Sequence, residues 1–184
     1  MTDSVISEGF FNPDVVVGEF GVVQDMKVAD FGCGAGHIGI LVAQKIGKGG
    51  VLFALDIMED KLDSIRAQAK ANGLENVQTK RANLEVMGST SLADMSQDMV
   101  LLINILFQST KKEEILKEAN RVLKIGGKIV FIEWKKGAAR QGFGPPEELR
   151  TDSLIAQEMF LLQGFKLERQ FNAGQFHYGL IFKK

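Results

Sequence analysis

Met26-Lys-Val-Ala-Asp30-Phe-Gly32-Cys-Gly34-Ala-Gly36-His37-Ile-Gly39 holds a strand, a glycine loop and a helix start in immediate succession. Residues 26–31 (MKVADF) form an apolar β-type run that stops in glycine. Residues 37–46 then carry Ile38, Leu41, Val42 and Ile46 at helical spacing. Glycine in such a junction lets the backbone turn sharply and approach a ligand closely, while the unpaired N–H groups of the helix start face it. Three alternating glycines exceed what a tight turn alone requires.

The alternation continues outward from this junction. After Gly47-Lys-Gly-Gly50, residues 51–55 (VLFAL) read as a strand closed by Asp56. Residues 59–72 read as a helix with Leu62, Ile65 and Ala69 on one face and Gly73 as its stop. Residues 77–81 and 99–105 read as strands, 111–123 as a helix, and 128–133 (KIVFIE) as a strand entered through Gly126-Gly127. A helix over 152–163 and a hairpin of 165–171 with 176–182, turning at 172–175, complete the chain. Strands that are apolar throughout and alternate with helices predict a parallel sheet covered on both faces. The expectation is an α/β single-domain, Rossmann-like, doubly wound sheet, mostly parallel, with an antiparallel C-terminal hairpin strand. Within that domain, residues 1–25 are expected to form a lid or substrate segment, 26–134 the ligand-binding core, 135–150 a loop, and 151–184 the last helix and hairpin.

Composition narrows the function. The 184 residues suit one domain that needs no staples. Lys and Arg number 22 against 23 Asp and Glu, which argues against a protein that coats nucleic acid. One cysteine excludes an internal disulfide framework and a cysteine-rich zinc site, and two histidines leave little for a histidine-built metal centre. No apolar run reaches the roughly 18–20 residues of a membrane span, and MTDSVISEGFFNP lacks the pattern of a signal peptide. A soluble, cytoplasmic domain is expected, with its oligomeric state open. The composition includes 20 glycines against 3 prolines, and many of the glycines sit at strand–helix junctions.

Two ligands compete for the glycine loop. Gly34-Ala-Gly36-His-Ile-Gly39 matches the GxGxxG dinucleotide fingerprint, with Asp56 at 20 residues past Gly36. That register leaves Asp30 and Gly32 without a role. Read as D-x-G-x-G-x-G from Asp30 to Gly36, every position is used. In that register VADFGCGAG resembles motif I of the class I S-adenosylmethionine-dependent methyltransferases, and the chain from about Phe11 onward resembles their UbiE-like, type 11 branch.

The resemblance implies a cofactor, S-adenosylmethionine, leaving as S-adenosylhomocysteine, and a set of residues around it. Gly32, Cys33, Gly34 and Gly36 would pass beside its methionine part, with Asp30 orienting the ammonium. Asp56 would accept from both ribose hydroxyls, which suits a carboxylate because it offers only acceptors. Ile57 would pack on the adenine. Asn83, followed by Leu84, stands where the family usually has Asp near the adenine amino group. Asn104 matches the position beside the sulfonium, and an amide in an apolar strand is costly without a partner. Leu123-Lys-Ile-Gly126-Gly127 resembles the family's L-x-P-G-G turn, with Ile125 replacing proline. Other readings stay open at this point: Asp56 as a helix N-terminal charge, Asn83 as a plain loop residue, Cys33 as a small loop filler.

A small-molecule methyl acceptor is expected, since nothing resembles a nucleic-acid-binding domain. Glu133, His177 and Tyr178 are candidates for substrate contact or proton transfer, because strand ends and the hairpin tip fall on the rim where such sheets bind ligands. His37 is a weaker candidate. The cover over the substrate is expected from Phe10-Phe11-Asn12-Pro13 and from residues 135–150, whose Lys135, Lys136, Arg140 and Arg150 hint at an anionic substrate. A cofactor-binding module without catalysis, an RNA or protein methyltransferase, and a nicotinamide-dependent oxidoreductase are the alternatives.

Overall fold

The computed structural model describes residues 12–137 and 144–184. The chain enters through a short helix, α1 (Pro13–Gly18), that the sequence pattern did not predict. Its signal is local: Asn12 Oδ1 accepts from the N–H of Asp14 at 3.0 Å, and Pro13 begins the helix without needing a donor. Val16, Val17 and Phe20 are buried, so from Pro13 onward this segment is built into the core.

The alternation then follows the predicted order. It runs β1 (Lys27–Phe31), α2 (His37–Ile46), β2 (Val51–Asp56), α3 (Glu59–Ala71), β3 (Val77–Arg81) and β4 (Gln97–Ile103). A 3-10 turn over Leu106–Gln108 leads into α4 (Lys112–Val122) and β5 (Leu123–Trp134). A second 3-10 turn over Glu147–Leu149 precedes α5 (Ser153–Leu162), β6 (Lys166–Asn172) and β7 (His177–Lys183). The seven strands form one sheet in the order β3-β2-β1-β4-β5-β7-β6. Strands β1 to β5 pair in parallel, and β7 lies antiparallel between β5 and β6. The expected fold class is therefore observed. Strand β5 starts earlier than expected because the chain passes from α4 into extended backbone and absorbs Gly126-Gly127 as an irregularity near Gln97. Ile125, at the place of the family's proline, is 81% exposed and far from any chemistry.

Side chains alternate across the strands and split the core in two. Ala29 and Phe31 of β1 face α4 and α5, packing with Leu116, Ala119 and Phe160. Val28 faces the other way, toward α1, α2 and α3, with Val17, Val42 and Ile65. The chain winds from β1 out to β3, then crosses back to β4 on the other side of β1. This reversal opens a crevice beyond the carboxyl ends of β1 and β4, where open α/β sheets bind ligands. Because β6 runs in the same direction as β5, the β6–β7 turn lies on that same rim.

Candidate functional site

The first loop beyond β1 is fixed by backbone geometry. Gly32 is left-handed (φ +75°), and a Cβ there would sit 2.5 Å from Ile105 Cδ1. Gly36, the N-cap of α2, has φ +90° and would drive a Cβ to 2.7 Å from Ile65 Cγ1. Between them, a Cβ on Gly34 would meet nothing within 4 Å, so the backbone there faces open space. The N–H groups of Gly32 and Cys33 both donate to the Leu55 carbonyl, at 2.8 and 3.0 Å. Helix α3 braces the loop from behind, with Gln68 Nε2 donating to the Ala35 carbonyl.

Asp56 ties this loop to the next. Its Oδ2 accepts from the Gly34 N–H and its Oδ1 from the Met58 N–H, each at 3.0 Å. Met58, not Asp56, is the N-cap of α3. Each oxygen keeps a further lone pair for an outside donor. Asp30, at the end of β1, is only 3% exposed, and burial, aided by the charge of Asp56, pushes its carboxyl up to about 7. Gly39 leaves it room, since a Cβ there would stand 2.9 Å from Asp30 Oδ2.

These groups face one cavity of about 1260 Å³. It is lined by Asn12, Pro13, Asp30, residues 32–38, 56–58 and 82–85, Lys61, residues 103–105, Gln108, Ser109 and Ile115. Asp30, Gly32, Cys33, Gly34, Gly36, Asp56, Ile57, Asn83, Leu84 and Asn104, the ten residues expected around a cofactor, all lie on its wall. Ile57 is half exposed and Leu84 buried. Asn83 Oδ1 accepts from the Glu85 N–H at 3.0 Å, which fixes the side chain in a local turn. The Cys33 thiol is buried, and burial followed by the charges of Asp30 and Asp56 pushes its pKa up. That leaves it a loop filler without thiolate character.

Asn104 follows β4 in a left-handed conformation (φ +53°), with its N–H donating to the Ile132 carbonyl at 2.9 Å. Its Nδ2 lies 3.2 Å from His177 Nε2, and its buried Oδ1 takes no hydrogen bond from the described residues.

Glu133, His177 and Tyr178, expected to face substrate, are not among the described residues that line this cavity. Glu133 has no exposure, and its two oxygens accept from the N–H groups of Trp134 (3.0 Å) and Phe107 (3.1 Å). Burial pushes its carboxyl up to about 7 against those bonds. The Tyr178 hydroxyl donates to the Thr151 carbonyl at 3.0 Å, and its ring meets Phe131 edge-on. Burial pushes the Tyr178 pKa up as well. Both residues pin chain to chain behind the rim. His177 is wholly buried and meets the cavity wall at Asn104, whereas His37 is exposed and does line it.

Two cations of the basic stretch are likewise committed elsewhere, while Lys136 is exposed. Lys135 Nζ donates to the Gly174 carbonyl at 2.9 Å. Arg150 is buried, donates to the carbonyls of Pro145 and Lys135, and lies 5.4 Å over the Trp134 ring. The hint of an anionic substrate loses the support of these two residues. Phe10, Phe11 and Arg140 lie outside the described residues. Lys61, Gln108 and Ser109 were missed because a helix side chain and a 3-10 turn acquire a site only through tertiary structure. Among the described residues no cluster of His, Cys, Asp or Glu is suited to a metal ion, and no helix is long and apolar enough to cross a membrane.

The donor and acceptor pattern fits S-adenosylmethionine. A left-handed glycine loop admits close approach, two carboxylates offer acceptors, and a buried amide oxygen awaits a donor. Comparison with known proteins agrees. A family model described as a methyltransferase domain matches residues 23–171. An arsenite methyltransferase of Aquipseudomonas alcaligenes is 31% identical over 116 residues, covering 61% of this chain and 34% of that protein. A ubiquinone/menaquinone biosynthesis C-methyltransferase UbiE of a Shewanella species (strain ANA-3) is 30% identical over 117 residues, covering 63% of this chain and 45% of that protein. The chain thus spans less than half the length of these curated relatives. The crystal structure of a SAM dependent methyltransferase from Aquifex aeolicus superposes with a TM-score of 0.84 at 24% identity, covering 95% of this chain and 90% of that one. The chain belongs to the class I S-adenosylmethionine-dependent methyltransferases.

Proposed function

We propose that the protein is a cytoplasmic methyltransferase that moves a methyl group from S-adenosylmethionine to a small molecule. One observation carries the reading: all ten residues expected around the cofactor share the wall of one cavity at the reversal of strand order. In this reading the loop from Gly32 to Gly36 cradles the methionine part and Asp30 holds its ammonium. Asp56 accepts from the ribose hydroxyls, Asn83 addresses the adenine amino group, and Ile57 and Leu84 sandwich apolar surface. When bound, S-adenosylmethionine supplies an electrophilic methyl group on a sulfonium. The chain's own share is alignment and exclusion of water, which contribute up to about 7–11 kcal/mol.

The cavity of about 1260 Å³ exceeds the roughly 300–1,000 Å³ of an ordinary ligand pocket, which leaves room for a second molecule beside the cofactor. Among the described lining residues, Asp30 and Asp56 are given to the cofactor in this reading, which leaves one carboxylate, Glu85, and one ammonium, Lys61, for the acceptor side. That even balance selects no charge, and the apolar residues of the wall, among them Ile38, Ile103 and Ile105, favour an acceptor with apolar surface. Arsenite, the acceptor in one relative's name, is a soft centre that takes several thiolates. This chain has one cysteine, buried and without thiolate character, so an arsenite acceptor has no support here. A cofactor-binding module without catalysis is the second reading, favoured because Glu133 and Tyr178 do not line the cavity.

Calorimetry with S-adenosylhomocysteine and with NAD⁺ tests the proposal. Binding of the former alone is expected, and binding of NAD⁺ alone would overturn it. Transfer of labelled methyl to pools of small molecules, RNA or protein then separates enzyme from module and names the acceptor class.

A further inference from the structure

Asn104 forms part of the cavity wall just past β4, and its side chain has two unlike ends. Nδ2 meets His177 Nε2 at 3.2 Å, while Oδ1 is buried and takes no hydrogen bond from the described residues. A buried amide oxygen without a donor is costly, so it marks a place where something else donates. The left-handed backbone at Asn104 persists only where its surroundings fix it, and the bond from its N–H to Ile132 does so.

His177 cannot turn away from this contact. Register places it opposite Trp134, whose ring lies 4.1 Å from the imidazole, and the side chain has no exposure. Nε2 accepts a hydrogen bond only in a neutral ring whose proton is on Nδ1. In that form the amide must turn its NH₂ to the histidine and its carbonyl oxygen to the cavity. The opposite tautomer would reverse both ends. We propose that His177 is a positioning residue whose Nε2 holds the Asn104 amide so that the cavity meets a carbonyl oxygen, the acceptor for an N–H or O–H donor of the bound ligand. Burial, joined by the charges of Lys135 and Arg150, pushes the histidine down to about 4 and keeps it neutral across the working range.

The amide's orientation stands without reference to the cofactor, and only the ligand's identity rests on the proposed function. Nitrogen NMR of the protein labelled with ¹⁵N-histidine reads the tautomer directly. A protonated Nδ1 with an unprotonated Nε2 is expected for His177, and a protonated Nε2 would overturn the inference. Calorimetry with S-adenosylhomocysteine gives the second readout. His177→Phe keeps a ring but removes the acceptor, and binding is expected to weaken about tenfold. His177→Gln restores an acceptor at similar reach and is expected to bind within about twofold of the parent. Equal binding by all three proteins, or equal loss in both variants, would overturn the inference. Failure of the parent protein to bind S-adenosylhomocysteine would instead defeat the proposed function, and the tautomer would still decide the role of His177.

Discussion

Asp30 gives ligand binding a pH dependence whose sign and size follow from its surroundings. Burial and the neighbouring charge of Asp56 hold its carboxyl at about 7. A ligand ammonium beside it requires the carboxylate, so apparent affinity follows the ionised fraction. For a group at about 7, that fraction is roughly 9% at pH 6, 50% at pH 7 and 91% at pH 8. Affinity for S-adenosylhomocysteine is therefore expected to rise about tenfold from pH 6 to pH 8, or ~1.4 kcal/mol. Binding should release about 0.9 proton at pH 6 and about half a proton at pH 7, measurable by calorimetry in buffers of different ionisation enthalpy. Stability of the ligand-free protein moves the opposite way. A carboxyl raised on folding contributes stability that is complete below its unfolded value and lost as pH rises through about 7. Asp30→Asn should flatten the binding profile and remove this share of the stability loss. A parent profile flat from pH 6 to pH 8, or an equal slope in Asp30→Asn, would refute the reasoning.

Other substitutions probe the remaining parts of the site. Asp56→Ala removes the acceptor for Gly34 and Met58 together with the proposed ribose contact, and calorimetry should show binding weaker by about 1–3 kcal/mol. Unchanged affinity would reduce Asp56 to a loop tie. Gly36→Ala places a Cβ 2.7 Å from Ile65 on a left-handed backbone, and denaturant unfolding should show a loss of about 1–3 kcal/mol; a neutral outcome would mean that α2 shifts freely. Tyr178→Phe deletes only the hydrogen bond to Thr151. It should cost about 1 kcal/mol of stability and leave S-adenosylhomocysteine affinity unchanged, whereas a binding loss would return Tyr178 to the site.

The order of elements was legible because apolar strands and glycine junctions are local signals. Residues 37–46 and 77–81 were bounded as the structure bounds them, since Gly36 with Gly47 and the flanking polar turns punctuate them. Helix α1 escaped because Val15-Val16-Val17 is β-branched and speaks against a short helix, although the Asn12-Pro13 start was visible. The residues that line the cavity were legible because strand ends at one rim of such a sheet lie together by topology. Glu133 was not, since its direction depends on the 3-10 turn over Leu106–Gln108 presenting the Phe107 N–H to it. The purpose of Lys135 and Arg150 was hidden for a related reason: the carbonyls they hold come from Gly174 and Pro145, and only folding brings them close.

The central placement of β7 has a consequence for how the molecule assembles. Strand β6 is made before β7, yet among the described residues its only neighbour in the sheet is β7. It cannot join the sheet before its successor does, and the two can dock as a hairpin, a local event on the order of 1–10 μs. The incoming strand brings His177 against Asn104 and Trp134 at the same moment. The polar residues of β6, exposed along Lys166, Glu168, Arg169 and Gln170, then finish the sheet with an edge that resists further strand addition. The strands that frame the glycine loop, β1 and β2, come early, whereas the support behind Asn104 is delivered by β7, which follows them by more than 100 residues. Maturation of the pocket is thereby linked to completion of the sheet.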